Sequence, residues 1–315
     1  MAKQLISVVI PVYNEESNIV WFYDELKKQF DDLPKYDFEA IFVDDGSSDQ
    51  SIKIIKELAG KSDGVRFLQF SRNFGKEAAT SAGLGVCKGD AAMMIDVDGQ
   101  HPVKLIPKFI SQWEAGFEVV IGIRQSNSKE GAVKHYGSKL FYALLGSVAG
   151  TKTVPGSTDF RIIDRKVIDE FNKLTEHSRM TRGLIDWLGF KRTYIDFNAP
   201  ARHSGDAAYS YSKLIRLALH GFVSQTTKPL QFTGLLGFIV TVGSFLLGLF
   251  LLFEQYIIND PLKLNVTGTA ILALFLSFLV GLVLICQWLL ALYIESIHNE
   301  TQNRPLYIVS DKSTK

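Results

Sequence analysis

Five short apolar runs punctuate the first part of the chain: Ser7–Val12, Phe38–Val43, Val65–Phe70, Ala91–Ile95 and Phe117–Ile123. Segments of helix length separate them: Ser17–Phe30, with Ser17 as the expected cap, then Asp49–Leu58, Gly75–Cys87 and Pro102–Trp113. Strands that are apolar throughout, alternating with helices, predict an α/β fold whose mainly parallel sheet is covered on both faces. In such sheets ligands bind beyond the carboxyl ends of the strands. Polar clusters stand at three of those ends: Tyr13-Asn14-Glu15, Asp44-Asp45-Gly46-Ser47, and Asp96 through Gln100. Their shared placement makes one candidate site of them rather than three unrelated turns.

Asp96 and Asp98 carry the chemistry of the third cluster. Side chains two apart on an extended strand point the same way. The spacing therefore predicts that both carboxylates converge on one divalent cation. Hard oxygen donors suit Mg²⁺ or Mn²⁺, which keep positions open for substrate phosphates. Gly99 allows a sharp turn, and Gln100 adds a neutral oxygen. An isolated Asp-x-Asp more often marks a solvated turn; the buried strand before it and the rest of the chain reverse that in favour of the site. His101 is expected to start the turn before Pro102 and not to ligate.

Charge and cysteine content narrow the function classes. A formal net charge of +1 over 315 residues argues against nucleic acid as a partner. Cys87 and Cys286 are the only cysteines, too few for a disulfide framework or a zinc site. Apolar residues are concentrated towards the C-terminus: Phe232–Phe253 and Leu264–Ile294 contain no charged residue. Each run exceeds the ~20 residues that cross a bilayer core. The short polar connection Glu254–Lys263 makes a two-helix transmembrane hairpin the expectation, with spans near 232–253 and 266–292. Lys213, Arg216 and Lys228 precede the first span and Arg304 and Lys312 follow the second, a bias that puts both flanks in the cytoplasm. The chain begins in a strand-like segment without a signal-peptide pattern, in keeping with that side. Between sheet and spans, Tyr211, Leu214, Ile215, Ala218, Leu219 and Phe222 recur at helical spacing. An amphipathic helix lying at the membrane surface is expected there. The expected divisions are a catalytic domain over 1–205, a juxtamembrane region over 206–229, spans within 230–294 and a cytoplasmic tail over 295–315.

Three motifs, in order, are Pro11-Val12-Tyr13-Asn14-Glu15, Val43-Asp44-Asp45-Gly46-Ser47-Ser48-Asp49 and Asp96-Val97-Asp98-Gly99-Gln100-His101-Pro102. Together they resemble the family 2 glycosyltransferases of the GT-A fold, a Rossmann-like arrangement. Arg72-Asn73-Phe74-Gly75-Lys76, Thr181-Arg182-Gly183-Leu184 and Trp187-Leu188-Gly189-Phe190, with the hairpin, narrow the resemblance. The chain is similar to polyprenyl-phosphate glycosyltransferases of the bactoprenol glucosyltransferase and dolichol-phosphate mannose synthase type.

The resemblance implies roles. Asp96, Asp98 and Gln100 would hold the metal. Pro11, Tyr13, Glu15, Asp44, Asp45 and Asp96 would bind the nucleotide sugar, with Tyr13 stacking on the base and Glu15 and Asp45 accepting hydrogen bonds from ribose or base. Asp159, with Asp98, would be catalytic, as a base or as an orienting group for sugar or acceptor. A lipid phosphate is largely dianionic at neutral pH, its second pKa lying near ~6, and so calls for positive charge more than for a base. Arg124, Lys134, Arg202 and Lys213 are the candidates to hold it. Related chains commonly carry a second arginine near Asn127, an arginine near Ala199 and a Ser-Lys pair where Ala207-Ala208 stand, so the lipid-phosphate contacts are rearranged here.

The expected activity is inverting transfer of a hexose, with UDP-glucose the leading donor, to polyprenyl phosphate at a bilayer. The expected location is a bacterial plasma membrane, and a homo-oligomer is compatible with the sequence. Rivals are a GDP-mannose-dependent synthase of the same type and an inactive anchor that binds a nucleotide sugar. The intact Asp96, Asp98, Gln100 and Asp159 speak against the anchor.

Overall fold

The computed structural model describes residues 3–125, 154, 156–176, 179–200, 246, 268–302 and 304–313. The chain divides into two compact units, Met1–Ala208 with Asn303–Lys315, and Tyr209–Gln302. In the first unit the elements run β1 (Gln4–Val12), α1 (Ile19–Asp31), β2 (Tyr36–Asp44), α2 (Ser51–Lys61), β3 (Val65–Phe70), α3 (Lys76–Val86) and β4 (Ala91–Met94). They continue with a 3₁₀ turn (Val103–Leu105), α4 (Ile106–Glu114), β5 (Val119–Arg124), β6 (Ser157–Asp164), α5 (Arg165–Lys173), α6 (Thr181–Trp187) and β7 (Arg192–Phe197). After α7 (Gly268–Thr301) of the second unit, β8 (Val309–Lys312) rejoins the sheet.

The eight strands lie in the order β7-β5-β6-β4-β1-β2-β3-β8. β4, β1, β2 and β3 are mutually parallel, whereas β6 runs antiparallel to both β4 and β5. Period-two alternation divides the apolar side chains between the two faces. Ile6, Val8, Ile10, Phe42 and Met93 pack on one side with Phe22, Leu26 and Phe109 from α1 and α4. Val9, Ile41, Val43 and Met94 pack on the other with Ala79, Ala82 and Phe171 from α3 and α5. The chain order reverses at β1, with β2 on one side of it and β4 on the other. That reversal opens a crevice at the carboxyl ends of β1 and β4.

The five expected strands are present, with ends shifted by up to three residues. Ser17 does not cap α1: it lies in a turn, and the helix starts at Ile19 after Asn18. The reason is that the preceding loop is bonded across to the β2–α2 loop (below), which delays the first helical turn. The expected tail is divided between the end of α7 and strand β8.

β8 closes the sheet edge at β3 through main-chain pairing and through side chains. Ser71 N–H donates to the Ile308 carbonyl at 3.0 Å. Tyr307 stacks on Phe70 with ring centroids 5.0 Å apart, Phe70 meets Phe74 edge-on, and Lys56 pairs with Asp311 at 2.8 Å.

The second uncharged run falls largely within α7. Among the described residues, no helix is long and apolar enough to cross a membrane. The first run, apart from Leu246, and the juxtamembrane region lie outside the described residues, as do Lys134, Arg202 and Lys213.

Tyr307→Ala is expected to destabilise the first unit by about 2 kcal/mol, the cost of truncating a half-buried stacked aromatic. Thermal unfolding of the solubilised chain measures the loss, and amide exchange at Ser71 should accelerate with it.

Candidate active site

Two loops build the floor of the crevice by bonding to each other. Asn14, after β1, takes a positive φ of 54°. Its N–H donates to Ser47 Oγ at 2.9 Å, and its side-chain oxygen accepts from Ser48 N–H at 2.8 Å. Glu16 N–H donates to Asp49 Oδ2, and Gln50 N–H donates back to Glu16 Oε2 at 2.8 Å. Tyr13 and Glu15 are thereby presented at the rim, Tyr13 being 48% exposed.

Asp44 and Asp45, expected on the nucleotide, are 0% and 3% exposed and accept from the protein's own backbone. Asp44 Oδ1 accepts from Ser47 N–H. Asp45 accepts from Phe74 N–H at 2.7 Å and from Gly75 N–H at 2.9 Å. Burial raises both carboxyls above the usual range, even against these bonds. Gly46 explains the rest of the motif. Its φ is 69°, and an added Cβ would lie 2.4 Å from the Arg72 carbonyl carbon. The Asp-Asp-Gly-Ser motif therefore seats the Arg72–Gly75 loop, and with it the start of α3.

β4 ends at Met94, so Asp96 and Asp98 do not lie on one extended strand. The strand-periodicity argument for their convergence does not hold. Val97 and Asp98 form a turn closed by Gly99 at φ 78°, and Asp98 Oδ1 accepts from Gln100 N–H at 3.0 Å. Asp98 is 7% exposed. Asp96, on the cleft side, meets a different partner set.

Antiparallel pairing brings that set together. Met94 is opposite Arg161, so two residues further along one chain and two back along the other set Asp96 against Asp159. Lys76, the first residue of α3, places its ammonium between the two carboxylates. Nζ is 2.6 Å from Asp96 Oδ1, 2.8 Å from its Oδ2 and 3.1 Å from Asp159 Oδ2. Arg182 Nε stands 3.4 Å from Asp159 Oδ1. Glu77, next to Lys76, accepts from Thr181 N–H at 2.8 Å and so ties α6 to α3. Behind α6, fully buried Arg161 pairs with Asp186 at 3.0 Å. Burial alone would raise Asp159, but the Lys76 and Arg182 charges hold it well below the usual carboxylate range. A carboxylate so held orients a partner well and takes up a proton poorly. Burial lowers Lys76, yet Asp96 and Asp159 reverse this and keep it charged.

His101 does more than begin a turn. Its Nδ1 accepts from Asp96 N–H at 3.1 Å, and its ring stacks on Phe160 at 5.2 Å. Burial depresses its pKa, so a neutral imidazole with its proton on Nε2 supports the Asp96 backbone. Arg124 ends β5 on the same edge of the sheet and is exposed.

Lys76, Arg182 and His101 were not assigned site roles from the sequence. One signal for Lys76 was present: a cation at the first helical position opposes the helix dipole, and such a placement calls for a local anionic partner.

The residues fit a divalent cation in part. Asp96 offers hard oxygen on the cleft side, and the Lys76 ammonium marks where positive charge settles against it. Among the described residues, no group of three or more His, Cys, Asp or Glu could hold a metal.

The pattern of glycosyl transferase family 2 matches residues 7–171. The chain belongs to this family. It is 35% identical over 97% of its length to an uncharacterized glycosyltransferase of Synechocystis sp., covering 95% of that protein. It is 34% identical over 98% of its length to the bactoprenol glucosyl transferase of Shigella phage SfV, covering 99% of that protein. The fold is the GT-A arrangement. It is shared with glucosyl-3-phosphoglycerate synthase from Mycobacterium tuberculosis, solved with Mn²⁺, UDP and phosphoglyceric acid. That match has a TM-score of 0.51 and 20% identity over 70% of this chain and 77% of the other.

Because native His101 is neutral, the unfolded chain binds the extra proton first. The stability that His101 confers is present above its ordinary value of 6.5 and is lost as pH falls below it. Urea unfolding at pH 7.5 and pH 5 should show this loss in the parent chain and less of it in His101→Gln.

Proposed function

We propose that the chain transfers glucose from UDP-glucose to the phosphate of a membrane polyprenyl phosphate, with inversion at the sugar. The observation that carries this reading is the near full-length likeness to a bactoprenol glucosyl transferase, joined to an acidic cleft at the sheet's switch point. Tyr13 and Glu15, at the rim, and Pro11 line the nucleotide side. Asp96, with Asp98 and Gln100 in the adjoining turn, would hold Mg²⁺ or Mn²⁺. When bound, that ion neutralises charge on the departing diphosphate.

The chain's own residues do the remaining work. Asp159, kept ionised by Lys76 and Arg182, orients the sugar or acceptor. The acceptor, already dianionic, needs alignment with the anomeric carbon rather than deprotonation. Arg124, on the active edge, and Lys134, Arg202 and Lys213 are the cations proposed to hold the lipid phosphate.

A membrane hairpin supports this reading, and two observations support the hairpin. α7 exposes Leu272, Leu276, Val280, Val283, Leu290 and Ile294 along its length, a stripe that water does not favour. The chain leaves the catalytic unit after Ala208 and returns to it at Asn303. Any crossing of a membrane in between must therefore be undone, giving an even number of spans. Domain and tail would both face the cytoplasm of a bacterial plasma membrane.

Detergent-purified protein, given Mg²⁺, polyprenyl phosphate and a panel of radiolabelled nucleotide sugars, should move label from UDP-glucose into the lipid phase. Label from GDP-mannose instead would reassign the donor, and nucleotide binding without any transfer would leave an inactive anchor. Asp98→Asn should reduce transfer by at least about a hundredfold, in line with loss of transition-state charge stabilisation, while membrane insertion is unchanged. Full activity in that variant removes the metal role.

A further inference from the structure

We propose that Lys76 is the resident counter-cation of Asp96, and that a divalent cation enters by displacing its ammonium from that carboxylate. This rests on the metal-dependent reading above and adds a linked step to it. Three observations carry it. Both Asp96 oxygens lie within 2.8 Å of Nζ, leaving the ammonium directly against the carboxylate expected to ligate. The same Nζ reaches Asp159, so one cation holds two acids that would otherwise repel across the strand pair. Lys76 heads α3, where its charge opposes the helix dipole, and its placement is fixed by the bonds from Phe74 and Gly75 to Asp45.

The consequence follows from charge balance. A metal arriving alone must evict a bound ammonium and leave it beside Arg182, cation against cation, across Asp159. A metal arriving with a nucleoside diphosphate brings anionic oxygens that can take up the displaced ammonium. Metal and donor binding are therefore linked, each weak without the other, with Lys76 as the linking group. Asp159 keeps its guanidinium partner throughout, so its orienting position survives the exchange. No bond is made or broken in this step; one ion pair replaces another.

Mn²⁺ binding to the full-length protein in detergent, followed by the EPR signal of the free ion, tests this without turnover. Removing a competing charge at contact distance should tighten Mn²⁺ binding in Lys76→Met by about tenfold in the absence of nucleotide. Lys76→Arg, which keeps the cation, should not tighten it. With UDP present, the advantage of Lys76→Met should shrink. A second readout uses the parent chain alone: amine acetylation of Lys76, read by peptide mass, should rise as Mn²⁺ is titrated in.

Unchanged or weaker Mn²⁺ binding in a folded Lys76→Met protein would overturn the proposal, as would acetylation indifferent to Mn²⁺ up to saturation. If the parent chain binds Mn²⁺ with UDP and these results fail, only the displacement step falls. If the parent chain binds no Mn²⁺ with or without UDP, the metal-dependent reading falls as well.

Discussion

One ammonium held between two carboxylates organises this molecule. Asp96 follows a parallel strand and Asp159 lies on an antiparallel one, and the register of β4 against β6 sets them face to face. Like charges so placed need a cation between them. Lys76 supplies it from a third element, and Arg182 from a fourth. β4, β6, α3 and α6 are thus connected through charge as well as through the core. Glu77 and Arg161 reinforce the arrangement, one tying α6 to α3 and the other fixing α6 to the sheet.

The Asp-Asp-Gly-Ser motif has an architectural part in this. Both acids are buried; Asp45 meets the amides of Phe74 and Gly75, Asp44 meets that of Ser47, and the glycine lets the Arg72–Gly75 loop pass at a distance no side chain allows. The loop then leads directly into Lys76. A segment expected to touch nucleotide is, in the fold, also the seat of the loop that carries Lys76. The carboxyl of Asp45 remains buried because two backbone donors meet it there, compensating much of the cost of desolvation.

The parallel half of the sheet was legible because its strands are buried on both faces and read as continuous apolar runs. β6, β7 and β8 were not. In β6 the inward Arg161 interrupts the pattern, and its burial makes sense only beside Asp186, a partner from another element. β8 is polar after Val309 and becomes a strand through the backbone it meets on β3, which no local pattern reports. The three polar clusters do follow β1, β2 and β4, since strand ends are readable. The geometry within them was not, because a period of two applies only while the chain is extended, and β4 ends at Met94. His101 was undervalued for a similar reason: its value lies in a backbone amide and an aromatic ring supplied by the fold.

β8 is separated from the other strands of its sheet by the whole of the second unit. Until residues near Val309 leave the ribosome, β3 presents an unpaired rim of amides and carbonyls, the sort of edge that recruits foreign chains. A polypeptide that stops within the second unit carries β1 to β7 and an open flank. The edge of β3 is therefore covered only after the whole second unit has been made.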